Sequence, residues 1–378
     1  MMSNNDKANG EVQLTDVQER FLQINDIEAM AVGTWILGTG GGGSPYQNLL
    51  NVRELYAAGR RVILKDPMTL PDDALVAVLS SQGAPLIGQE RLADSAMAMK
   101  PLRIMEEYLG RKFDALMPVE IGGGNGLHAI MVAAATGLPA IDADAMGRAY
   151  PEAQMTSFAV ADLQCYPLAI SDIRDNEVII HKAHSWKWME RISRRICTEF
   201  GSQASTCKAP RSGKEVRDHG ILYTGSKAIS LGKAVLKARQ NHVNPVDAIL
   251  DECWGNRVFT GKVTDVERRT TGGFLRGRTV LEGLGENTGE KFDLDFQNEF
   301  SVGSRNGEAI VMTPDLICVV DSISGDGIGT ESIRYGQRVD VLALPAPEVF
   351  LSARGLELVG PRAFGFDFDY RSYFKDRK

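Results

Sequence analysis

The sequence predicts an α/β protein: a layered α/β/α domain over residues 20–250, followed by a smaller β-barrel-like domain over residues 255–346. Three observations carry this. Between residues 74 and 143, apolar strand-like runs alternate with helical patterns, which implies parallel pairing with helices on the faces of a sheet. After Trp254 the helical period stops, and short β-type runs broken by Gly pairs and Asn-Gly continue to Leu344, the texture of a sandwich or barrel. The length, 378 residues, suits two units at about 150 residues per domain.

The elements follow in order. Ile24 to Leu37 has apolar residues at helical spacing, with Asp26 placed to cap it, and stops at Gly38. After the turn GTGGGGSP (38–45) a second helix is expected from Tyr46 to Ala58. Strands are expected at 61–64 and 74–79, then a helix within 87–109. Asp114 to Ile121 reads as a strand, GGGNG (122–126) as a turn, Leu127 to Thr136 as a helix and Ala140 to Ala143 as another strand. Thr156–Ala161 and Leu168–Ile180 read as β runs; helices are expected near 185–200, 226–239 and 245–252. The tail, 347–378, is mixed and is expected to pack back on the first domain.

Composition limits the function. The charge of -7, with both signs interspersed, argues against a nucleic-acid binder. No apolar run approaches the ~20 residues of a membrane span, and the polar start, Met1 to Val12, reads as a frayed tail without a signal-peptide core. Five widely spaced cysteines, none in a CxxC pair, suit reduced thiols, so a cytoplasmic location is expected.

Thirty-nine glycines are many, and they cluster. Gly40, Gly41, Gly42 and Gly43 lie between two helices; bare amides near a helix start favour an anion, although neither a Walker A lysine nor a preceding strand is present. Gly122, Gly123 and Gly124 follow a strand and open a helix, the place where ligands lie in open α/β sheets. Glu120 ends that strand, a costly position for a carboxylate without a task, and suits a general base or metal ligand. Asn125 suits a helix cap or an oxyanion donor. Asp142 and Asp144, two apart on an extended run, share a face and suit a metal or a shared proton. Arg148 suits a two-pronged grip on a substrate carboxylate, with a structural ion pair to a neighbouring acid as the plainer alternative, and Glu152 closes the cluster. His181 and His184 form HxxH, a weak metal signal. Asn298 and Glu299, in FQNEF, are a weaker signal for residues facing a cleft between the domains.

The segments LGTGGGGSP (37–45), PVEIGGGNG (118–126), GLPAIDADAMGRAYPE (137–152), PDLICVVD (314–321), RYGQRVDVLALPAP (334–347) and GPRAFGFDFDY (360–370) together resemble the S-methyl thiohydantoin desulfurase family. The resemblance runs over nearly the whole chain after about residue 20. It implies an N-terminal α/β domain, a C-terminal β domain, and hydrolytic loss of an S-methyl thiol group from a small five-membered cyclic thiohydantoin-like substrate. It also implies kinship with partners of hydantoinase and oxoprolinase enzymes. For that chemistry Glu120, Asp142 and Asp144 are the candidate bases, and Asp142, Glu120 and His184 the candidate ligands of a divalent, zinc-like metal. Arg148 would hold an acidic tail, and the amides at 40–43 and 122–124 would face developing charge. A homo-oligomer is expected on general grounds. The competing expectations are a phosphate- or nucleotide-binding enzyme and a non-catalytic accessory subunit of a hydantoinase-type partner.

Overall fold

The computed structural model describes residues 19–374, except 85, 88–89 and 91–93. The expected tail at Met1 to Val12 lies outside the described residues, as does part of the expected helix at 87–109.

In chain order the first part contains β1 (Glu19–Phe21), α1 (Ile24–Leu37), α2 (Tyr46–Ala57), β2 (Ile63–Lys65), β3 (Leu75–Gly83), α3 (Ser95–Leu109), β4 (Ala115–Pro118), α4 (Gly124–Thr136) and β5 (Ala140–Ile141). It continues through β6 (Ala143–Asp144), α5 (Ser157–Val160), β7 (Leu168–Ser171), β8 (Glu177–Ile180), α6 (Trp186–Glu199), β9 (Gln203–Ser212), α7 (Gly213–His219), β10 (Ile221–Leu222), α8 (Thr224–Gln240) and α9 (Pro245–Cys253). The second part is β11 (Asn256–Thr271), β12 (Phe274–Gly283), β13 (Lys291–Gln297), β14 (Glu299–Arg305), β15 (Glu308–Met312), β16 (Leu316–Asp321) and β17 (Arg338–Leu344), before α10 (Ala353–Val359).

Local chemistry sets several boundaries differently from the expectation. Gln23, not Asp26, caps α1; Asp26 sits three residues later and accepts from the Gln23 amide at 3.0 Å, closing a capping box. The run at 156–161 is a single helical turn because the Thr156 hydroxyl accepts from the Ala159 amide. Leu168 to Ile180 breaks into two strands where Asp172 gathers the Arg174 and Asn176 amides.

Eight strands form a mixed sheet in the order β1-β2-β5-β4-β3-β9-β7-β8. Only β2-β5-β4-β3 is parallel, the product of the strand–helix alternation; β9, β7 and β8 extend it antiparallel. Alternation along β3 divides its side chains between two cores. Ala77 and Leu79 join the core of α1, α3, α4 and α8, whereas Val76 and Val78 join that of Tyr150, Phe158 and the tail residues Phe350, Leu358 and Val359.

The other seven strands form an antiparallel sheet, β15-β14-β13-β12-β11-β17-β16, that curls into a half-barrel. Its strand β16 alternates in the same way: Ile317 and Val319 fill the sheet's own core, while Leu316, Cys318 and Val320 pack into the core shared with α1, α8 and α9. The five cysteines are buried, and none of them is in a disulfide among the described residues. Among the described residues no helix is long and apolar enough to cross a membrane.

Candidate functional site

The two Gly-rich turns meet. A Cβ on Gly42 would lie 2.6 Å from the Gly122 carbonyl, and one on Gly123 would lie 2.6 Å from the Gly41 carbonyl. The Gly124 amide donates to the Gly43 carbonyl at 2.7 Å, and the Gly123 amide donates to Thr34 at 2.7 Å. Gly42 and Gly123 also have φ of 72° and 64°, a region costly for any other residue. Much of the glycine content therefore serves backbone-on-backbone contact. The amides of Gly41, Gly122, Gly123 and Gly124 already have carbonyl partners. Gly42, Gly43 and Gly124 border a cavity, whereas the face of Gly40 is filled by the Phe300 ring.

That cavity, of about 280 Å³, lies beyond the carboxyl ends of β3 and β4. One wall is the face of α4 on which Asn125, His128 and Met131 stand at turn-by-turn spacing. The opposite wall comes from β9 and α6, through Lys208, Glu190 and Arg194. The half-barrel contributes Glu299, and the loop before β17 contributes Glu331.

Glu120 faces this space from just past β4. One carboxylate oxygen accepts from the Asn125 side chain, the other from the Tyr150 amide at 3.0 Å. Burial pushes its pKa up to about 7, opposed by those bonds and by the nearby Lys208 charge. Asn125 is not the helix cap, which is Gly123: its Oδ1 accepts from the Ser81 amide at 2.6 Å and its Nδ2 donates to Glu120, so the side chain ties the end of β3 to Glu120.

Glu299 lies against Gly41, whose Cβ position is 2.0 Å from Glu299 Oε1. Burial, then the neighbouring Glu120 charge, hold its pKa well above the usual carboxylate range. Glu331 is also pushed up to about 7 by burial, and the His128 imidazole is pushed down to about 4. Buried polar atoms without a protein partner gather here: Gln82 Oε1, His128 Nε2, Gln203 Oε1, Glu299 Oε2 and Glu331 Oε2 all belong to the lining. Such groups are costly unless an occupant satisfies them.

Of the remaining expected site residues, all but Glu152 lie elsewhere. Asp142 accepts from the Ser226 amide at 2.9 Å and the Ser226 hydroxyl at 2.5 Å, fastening the first turn of α8. Asp144 gathers the amides of Ile121, Met146 and Gly147 at 2.7, 3.2 and 2.7 Å. The two do not share a face, because the chain leaves β5 at Ile141 and enters a different, two-stranded sheet at Ala143. Arg148 is 1% exposed and grips protein: Ala149, Pro314 and Asp315 carbonyls, and Thr39 Oγ1 at 2.7 Å, with its guanidinium 4.4 Å from the Tyr150 ring centroid. It pairs with neither Asp142 nor Asp144, so the ion-pair alternative is absent as well. Glu152 does border the cavity, held by Gln154 and Gln297 at 2.6 and 3.0 Å. His184 is exposed at the start of α6. Asp142, Glu120 and His184 thus do not converge on one ion, and among the described residues no three His, Cys, Asp or Glu side chains are grouped as a metal site.

Lys208, Glu190, Arg194 and Glu331 had no sequence signal, since each is set in the cavity by tertiary contacts alone. Glu299 had one: FQNEF places an Asn where the chain turns, and Asn298 takes φ of 58° there, turning Glu299 inward.

No curated protein matches the chain. A crystal structure of a protein from Chromobacterium violaceum is similar, at 21% identity and a TM-score of 0.77, over 94% of this chain and 100% of that one, a likeness of fold. Two family models match: the S-Me-THD-like N-terminal domain over residues 25–182 and the S-Me-THD-like C-terminal domain over residues 184–373. Their junction falls before α6, so the cavity draws on both. With nearly all of the described fold covered by this pair, the chain belongs to the S-Me-THD-like, S-methyl thiohydantoin desulfurase-like family.

Proposed function

We propose that the cavity binds a small five-membered thiohydantoin-like ring and replaces its S-methyl thiol group by oxygen from water. The observation that carries the reading is Glu120: a buried carboxylate with a pKa of about 7, oriented by two hydrogen bonds and facing a ring-sized cavity. A base near neutrality is suited to removing a proton from water as that water attacks the amidine-like carbon.

Glu299, beside it, has a carboxyl oxygen without a protein partner, available to hydrogen-bond the ring, and burial holds its pKa well above the usual carboxylate range. Gly42 and Gly43 border the cavity with amides that have no partner among the described residues, and can face the charge that develops on the ring. Asp142, Asp144 and Arg148 act by holding α8 and the turn at 144–148 in place. No step is routed through a metal, because the three residues that would hold it lie apart.

The test is thiol release. Purified protein with S-methylated thiohydantoins should liberate methanethiol, read with a thiol reagent, and hydantoin rings should raise its melting temperature. Stabilisation by nucleotides instead, with no thiol released, would overturn the reading.

A further inference from the structure

The geometry points to Lys208 as the residue that protonates the departing thiol. This rests on the hydrolytic reading above and adds the group that reading leaves open. Lys208 stands on β9 in register with Val78 of β3, which is itself in register with Met117 of β4. Two strand spacings, about 10 Å, therefore separate its strand from the one that delivers Glu120. Both side chains border the same cavity.

Among the described residues the Lys208 ammonium has no ion pair. Among the described residues the other Lys or Arg of the lining is occupied: Arg194 donates to Glu190 at 2.7 Å and to the Pro151 carbonyl at 2.9 Å, and lies over the Phe274 ring at 4.4 Å. The carbonyl of Pro151 and the carboxylate of Glu190 thus fix Arg194 as structure, while Lys208 remains available. Burial lowers the Lys208 pKa, opposed by the Glu190 and Glu120 charges, which brings a lysine closer to what a departing alkanethiolate needs.

The step balances without another reactant. Glu120 takes a proton from water as the C–O bond forms, and the C=N pair moves onto ring nitrogen. That pair returns as the C–S bond breaks. Sulfur leaves with the C–S pair and takes a proton from Lys208. The product is the hydroxy-imine form of the ring amide. The proton on Glu120 then passes to the Lys208 amine, and both groups are restored.

A general acid matters only when the leaving group needs one, and this decides the experiment. Wild type, Lys208→Met and Lys208→Arg are compared on an S-methyl ring and on the same ring carrying a 2,2,2-trifluoroethylthio group, whose thiol is far more acidic. Thermal melts check that each variant is folded. Both variants should lose roughly 10²-fold or more in kcat on the S-methyl ring and most of that loss should vanish on the trifluoroethyl ring. Glu120→Gln should lose activity on both. Equal losses of a Lys208 variant on the two rings, or full S-methyl activity in Lys208→Arg, overturn the assignment while leaving the hydrolytic reading intact. Thiol release from neither ring by the wild type overturns that reading, and this inference with it.

Discussion

Each buried acid in this protein is read by what its two oxygens touch. Glu120 has two protein donors and a face on the cavity, so Glu120→Gln should keep the fold and lower thiol release by about 10²–10⁴-fold. Because the ionised form is the base and burial raises its pKa to about 7, the rate should climb as pH rises through about 7, where an ordinary carboxylate would already be fully ionised. A pH profile levelling off near 5 would speak against that role. Arg148 gives the opposite result: Arg148→Met should leave KM for the ring nearly unchanged and cost roughly 3 kcal/mol in denaturant unfolding, since it strands three carbonyls and Thr39. In the sequence both residues carry the same kind of signal, a charge near glycines. Only Glu120 ends a strand that leads into the cavity; nothing in the residues around Arg148 shows that Pro314 and Asp315 wait to receive it.

At the level of elements, the tightest contact is that of α1 with α8. A Cβ on Gly33 would lie 1.9 Å from the Ala228 carbonyl, and one on Gly232 would lie 1.7 Å from the Ala29 carbonyl. The two helices touch reciprocally, glycine against backbone, and neither position needs an unusual φ. Gly33→Ala and Gly232→Ala should each destabilise by roughly 1–3 kcal/mol through overpacking, measured by urea unfolding, despite alanine's better helix propensity. The helices themselves were legible, because apolar spacing sets α1, α6 and α9 within a residue or two. Strand β9 was not, since QASTCKAPRS has a proline and no clean alternation, and its place between β3 and β7 comes from pairing partners far away in the chain. Parallel order was legible only where helices separate the strands.

For the molecule as a whole, several acids titrate late. Glu120, Asp144 and Glu331 are each pushed up to about 7, chiefly by burial. A carboxyl whose folded pKa exceeds its unfolded one favours the folded state below the unfolded value, and that advantage is lost as pH rises through the folded one. The protein should therefore melt at a higher temperature near pH 5 than near pH 8, each group contributing on the order of 3 kcal/mol at most. Glu331→Gln should flatten the slope in a melting series. A melting temperature that rises over this range would contradict the assignment of burial as the dominant cause.

The curl of the second sheet carries Glu299 onto Gly41, in a turn fixed by the Phe300 amide on Thr39 and the Thr330 amide on Gly40, both at 2.8 Å. Splitting the gene at the junction near residue 183 would leave Glu120 on one polypeptide and Lys208, Glu299 and Glu331 on the other. On the proposed reading neither piece alone would release thiol, and co-expression would restore activity only to the extent that the two pieces reassociate, which makes the protein a candidate reporter for fragment complementation.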